Sequence, residues 1–152
     1  MRRNVASSVI GGALVAAAIA LGGRPARAQA TFATPPINLL YQNFPNPFPG
    51  TTSRVTCFWF DLAQRSDKVT LAVYDLRGRL VRTIVPSASV PSKLDAGYYG
   101  RSANSPTATG CDARFTWDGH GSDGTSVPPG VYFVRLHVDG AWQTKKIVFR
   151  GP

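Results

Sequence analysis

Apolar side chains in this chain recur at every second position rather than every third or fourth. Over 53–62 they alternate with Val55, Cys57 and Trp59 on one side and Thr56, Phe58 and Phe60 on the other. The second side is itself largely apolar, which predicts a strand buried on both faces. Val69, Leu71 and Val73 share one face of a strand over 69–74, and Asp75-Leu76-Arg77-Gly78 turns the chain into a returning strand over 79–85. A second hairpin is predicted where 131–138 meets 141–150 at Asp139-Gly140, with Trp142, Ile147 and Phe149 as apolar positions of its last strand. Shorter strands are expected at 112–117 and at 37–44. The latter is an edge-type strand ended by Pro45, Pro47 and Pro49, because proline cannot remain in a ladder. Residues 86–111 show no period and are rich in Ser, Ala, Pro, Thr and Gly. They read as a long irregular surface loop, mobile rather than functional because it holds no cluster of reactive side chains. About seven strands and no helix follow the first thirty residues.

Composition agrees with an all-β class. The 152 residues include 15 Gly and 12 Pro, and all eight acidic residues are Asp. Helix formers are thinned and turn formers supplied. Two packed antiparallel sheets bury such strands best, so an immunoglobulin-like or fibronectin III-like β-sandwich is the expected fold. The length suits one domain. Arg2 and Arg3 precede an uncharged run over 4–23, and small residues Ala26, Ala28 and Ala30 follow. This layout predicts a signal peptide over 1–30; an uncleaved membrane anchor is the alternative, weakened by the many Ala and Gly of the run. General secretion is preferred to the twin-arginine route, and with no Cys near residue 25 a lipoprotein is disfavoured. A linker over 31–37 and a domain over 38–150 follow, exported to the extracellular space or cell surface, with the periplasm as transit or alternative and no stable membrane insertion after cleavage.

Of the 17 basic residues behind the +9 charge, Arg2, Arg3, Arg24 and Arg27 belong to the leader. The remainder are scattered, whereas nucleic-acid binding needs a dense basic face. Catalysis finds little to work with. There is no Glu, His120 sits among glycines, His137 alternates with apolar residues, and no triad or metal-ligand spacing is readable. Neither enzyme activity nor a cofactor is expected. The run from Trp117 to Gly124 lacks the alternating oxygen ligands and closing Glu of a calcium loop. Asp118 is instead expected to accept backbone N–H bonds across a turn, with Gly119 and Gly124 in left-handed conformations. Cys57 and Cys111 are expected to form a disulfide under oxidising conditions; the alternative is a buried Cys57 with a free Cys111. Trp59, Trp142, Tyr98 and Tyr99 are candidate aromatics for a carbohydrate-binding reading, although such residues more often pack.

Several phrases fall together: residues 41–48 with Pro45, Asn46 and Pro47; 73–82 with the turn at Gly78; Trp117, Asp118, Gly119 and Gly124; Gly130 and Tyr132; and Lys145-Lys146-Ile147-Val148. Jointly they resemble the FlgD-type Ig-like family, which includes the Ig-like domain of the flagellar hook-capping protein and is similar to the type A C-terminal sorting domain of the type IX secretion system. The resemblance spans about 38–150. It departs in the long 86–111 stretch, in the loop after Trp117, where only Asp123 remains of the acidic positions, and in context, since the leader is followed almost immediately by the domain. It implies a non-catalytic secreted module for cell-surface delivery or attachment. Lys145, Lys146, Ile147, Val148, Phe149 and Arg150 would form the sorting or interaction segment, and the secretion machinery the partner. The alternative it implies is a structural subunit of an extracellular or periplasmic assembly, with protein partners in both cases.

Overall fold

The computed structural model describes residues 32–152, so the expected signal peptide lies outside the described residues. Four strands form the larger sheet, in the order β5-β4-β8-β9: β4 (Val69–Tyr74), β5 (Leu80–Val85), β8 (Gly130–Val138) and β9 (Ala141–Phe149). All neighbours are antiparallel. In β8 the alternation is regular: Tyr132, Val134, Leu136 and Val138 are buried while Val131, Phe133, Arg135 and His137 are half-buried on the other face. Pairing Val69, Leu71 and Val73 with Val138, Leu136 and Val134 places the buried residues of both strands on one face. The β8–β9 turn has Asp139 at φ 48° and Gly140 at φ 88°, left-handed at both central positions as a two-residue hairpin requires. Between β4 and β5, Gly78 at φ 76° closes a turn whose amides are gathered by the Asp75 carboxylate, which accepts from Arg77 N and Arg79 N at 2.9 Å each.

The remaining strands are short. β1 (Leu39–Leu40), β3 (Phe60–Leu62) and β6 (Gly97–Tyr99) form a three-stranded antiparallel sheet with β3 central; β2 (Thr56–Cys57) pairs with β7 (Thr116–Trp117). One core gathers residues from all of them. Leu40, Phe58, Phe60 and Leu62 share it with Leu71, Val73, Val134 and Leu136, all essentially inaccessible. Each such side chain stabilises by about 1.5–3 kcal/mol on burial. Phe48, Trp117, Tyr132 and Phe149 form an aromatic cluster within it, with ring centroids 4.9–5.8 Å apart.

The structure thus shows the expected all-β, antiparallel architecture and revises its details. The strand expected over 53–62 is broken at Phe58-Trp59, where Phe58 N donates to Phe115 O of a neighbouring 3-10 turn (Ala113–Phe115) rather than to a regular ladder. Only Leu39–Leu40 of the 37–44 strand is paired continuously. Residues 32–37 are tied to the fold: the Tyr98 hydroxyl donates to Ala33 O and Pro35 is buried.

The larger correction concerns 86–111. Outside β6 it is irregular as expected, but it is not confined to the surface: it buries Val90, Leu94 and Arg101 and bridges Ser66 to Leu94 and Arg101 to Cys111. Its apolar residues are too widely spaced to show a period, and outside the short β3–β6 ladder isolated bridges, side-chain contacts and the Cys57–Cys111 bond secure it. Gly130 and Tyr132, marked in the family resemblance, both lie in β8, Tyr132 within the strand expected over 131–138. Gly130 pairs with Phe149, and Tyr132 is buried with its hydroxyl donating to Pro128 O at 2.7 Å.

Candidate functional site

The C-terminal strand holds the residues expected to carry recognition. Alternation along β9 sends them to opposite faces. Ile147 and Phe149 are in the core at 0% and 2% exposure, so neither is available to a partner in the folded chain. Lys146 and Arg150 are exposed, Lys145 and Val148 half-buried. Trp142, two turns of the pleat before Lys146, is 56% exposed and stacks on His137 with ring centroids 4.1 Å apart.

The outer edge of β9 is occupied by the segment that precedes β2. Phe48 N donates to Val148 O at 2.9 Å and Arg150 N to Phe48 O at 2.7 Å, a short parallel pairing. Asn46 continues it with its side chain: Oδ1 accepts from Val148 N and Nδ2 donates to Lys146 O, both at 2.9 Å. An asparagine amide has the same donor and acceptor as a peptide group, so here it stands in for a neighbouring strand. Gln42 adds a second bond to Lys146 O, and Gln143 bonds Leu40 N and Asn38 O at 2.8 Å. The prolines suit this arrangement because Pro45, Pro47 and Pro49 have no N–H to leave unpaired. Phe48 is fully buried, whereas Phe44 is 73% exposed.

The other marked residues take structural positions. Asp118 Oδ1 accepts from His120 N at 3.0 Å, and Asp123 Oδ1 from Thr125 N at 3.0 Å, which lowers the Asp123 pKa below the usual carboxylate range. Gly119 and Gly124 have φ near 80°. A Cβ on Gly119 would collide with the Phe149 ring, while one on Gly124 would meet open space. Cys57 and Cys111 are bonded, with Cα atoms 6.0 Å apart, joining β2 to the end of the 86–111 stretch.

Sequence reasoning missed the group that fixes that stretch. Arg101 donates to Asp61 Oδ1 at 2.7 Å, with side chains only 5% and 8% exposed, and Tyr41 donates to Asp61 Oδ2 at 2.7 Å. The guanidinium lies 4.9, 5.3 and 5.5 Å from the rings of Tyr41, Trp59 and Tyr98. The hydrogen bond to Asp61, then burial, holds the Tyr41 hydroxyl above its usual pKa. Three aromatic faces around one cation form a complete internal cage. Tyr99 stacks on Phe60 at 5.0 Å. Of the aromatics considered for carbohydrate, Trp142 is exposed, at 56%, while Trp59, Tyr98 and Tyr99 are half-buried.

No family model matches the chain. An 87-residue stretch, 57% of the chain, is 34% identical to the basal-body rod modification protein FlgD of Salmonella typhimurium and of Salmonella typhi. The corresponding identity to FlgD of Escherichia coli strain K12 is 33%. The chain spans 29% of the length of these relatives. A chain from a structural study of PorZ, an essential bacterial surface component of the type-IX secretion system of Porphyromonas gingivalis, overlaps with 74% of this chain and 11% of its own length. That overlap has 18% identity and a TM-score of 0.38, too slight a likeness to carry an argument. The sequence similarity relates 57% of the chain to part of FlgD.

Proposed function

We propose that this chain is a non-catalytic exported module, an Ig-like sandwich that contributes packing surface to a protein assembly outside the cytoplasm. One observation carries the reading: the last strand is closed. Its apolar side chains are in the core and its outer edge is hydrogen-bonded by Phe48 and Asn46. Recognition by adding a strand at this edge would first have to displace those partners, which leaves side-chain surfaces as the contact regions. Similarity to a basal-body rod modification protein supports an assembly role.

The test is native gel filtration of the exported fraction from cells carrying a tagged chromosomal copy. The chain is expected in a species well above monomer size; a monomer alone overturns the reading.

A second reading, a type IX-like sorting domain, is favoured by the exposed basic side chains of Lys146 and Arg150 on and beside β9. Replacing Lys145, Lys146 and Arg150 by Ala tests it without removing Ile147 and Phe149 from the core. Periplasmic retention of the folded variant supports sorting, and unchanged delivery refutes it.

A further inference from the structure

The outer face of the four-stranded sheet has an unusual composition. Reading across the strands, Lys146, Phe133, Tyr74 and Leu80 form one continuous row. Thr144, Arg135, Ala72 and Thr83 form the next, and Trp142, His137 and Thr70 the third. Val148 and Val131 extend the face beyond the first row. A solvated sheet face normally alternates to polar residues. Here Trp142 and Leu80 are each 56% exposed, and Phe133, Tyr74, Val131 and Val148 are half-exposed. Val131, Val148, Phe133, Tyr74 and Leu80 are contiguous, while Trp142 lies beyond the Thr144–Arg135 row; exposed apolar surface of this kind marks an interaction site.

Charge gives the partner a character. The face carries two permanent cations, Arg135 and Lys146. Arg135 is held over the Tyr74 ring at 5.0 Å. No carboxylate projects from the outward positions of these rows. The nearest acids along the chain are committed elsewhere: Asp75 pairs with Arg79 at 2.7 Å, and Asp139 accepts from the Ser66 hydroxyl at 2.7 Å. A second copy of the same face would set like charges against each other, so self-pairing is disfavoured.

We propose that this face docks a protein surface that presents apolar side chains together with carboxylates, with apolar groups covering Phe133 and Trp142 and acids meeting Arg135 between them and Lys146 beside Phe133. This rests on the assembly reading above and names the surface and the partner's chemistry. Desolvated aromatic and Arg side chains are the groups that dominate such contacts, and complementary charge fixes the orientation.

The test is photo-crosslinking in cells producing the full chain. Phe133→p-benzoylphenylalanine probes the face, and the same residue at Ala103, an exposed position in the 86–111 stretch, serves as control. Mass spectrometry then identifies the adduct peptide. The expected result is an adduct from position 133 to an Asp- or Glu-bearing peptide of a different protein. Its yield should fall at least tenfold with R135E/K146E and by less with R135Q/K146Q, in variants whose thermal melting shows them folded. Where position 133 does crosslink, the proposal is overturned by an adduct to another copy of this chain, an adduct containing no peptide, a peptide without acids, or yields unaffected by charge reversal. Adducts at 103 with none at 133 remove this face while the assembly reading stands. No adduct at either position in a monomeric chain removes both.

Discussion

Arg101→Ala tests how the 86–111 stretch is held. The ion pair with Asp61 is buried, with side chains 5% and 8% exposed, so screening by water and salt is slight. Removing the guanidinium strands the Asp61 carboxylate with Tyr41 as its remaining side-chain donor. Breaking a buried pair from one side costs about 3–5 kcal/mol, mainly from the uncompensated charge. Loss of the three aromatic contacts adds to this. Replacing both partners, in Asp61→Asn/Arg101→Met, removes the stranded charge and should recover most of the loss. Urea unfolding followed by tryptophan fluorescence is the assay, since Trp59 lies 5.3 Å from the guanidinium carbon. With a slope of about 1–1.5 kcal/mol per M, the single variant's midpoint should drop by about 2 M or more. A single variant within about 1 kcal/mol of the parent, or a double variant as unstable as the single, would refute the reasoning.

Reduction of the Cys57–Cys111 bond, which closes a loop of sequence separation 54, should lower stability by about 4 kcal/mol in the chain-entropy estimate; unfolding with and without reductant measures it. Gly100→Ala should cost several times more than Gly124→Ala in thermal unfolding. Both sit at φ near 80°, but a Cβ on Gly100 would strike the Phe58 carbonyl whereas Gly124 faces open space. The pH–stability profile should fall at both ends. Asp75, held low chiefly by the Arg79 N–H, and Asp112, held low by Arg114, have folded pKa values below their unfolded ones. Their contribution is complete above the unfolded carboxylate range and is lost as pH falls through the folded values, below about pH 4. Tyr41, raised first by its bond to Asp61, and Tyr99, raised by burial, contribute fully below the unfolded phenol range. That contribution is lost as pH rises through their folded values, above about pH 10. Urea midpoints measured from pH 3 to 11 check both arms.

The long strands were legible because their period and turn chemistry agree. Asp139-Gly140 even fixes the register: counting outward from a two-residue turn pairs His137 with Trp142 and Phe133 with Lys146, as found. What escaped was held together by contacts remote in sequence. Arg101 meets Asp61 across 40 residues, and Asn46 meets Val148 across 102. No local pattern encodes such pairs. The break at Phe58 and the shortness of β1, β2 and β7 have the same origin, because hydrogen bonds from the 3-10 turn and from side-chain amides replace ladder bonds there. Ile147 and Phe149 were marked for recognition from their place in a motif, yet alternation alone puts them on the face opposite Lys146 and Val148.

Native-state hydrogen exchange of the exported chain, read at the amides of Val148 and Arg150, bears most directly on the claim that the last strand is closed and that partners meet side chains instead. Both amides point away from β8 toward Asn46 Oδ1 and Phe48 O. They should exchange as slowly as amides in the interior of β8, and Asn46→Ala should speed Val148 selectively. Exchange of both at the rate of an open sheet edge in the unmodified chain would contradict the account and return strand addition as the mode of recognition.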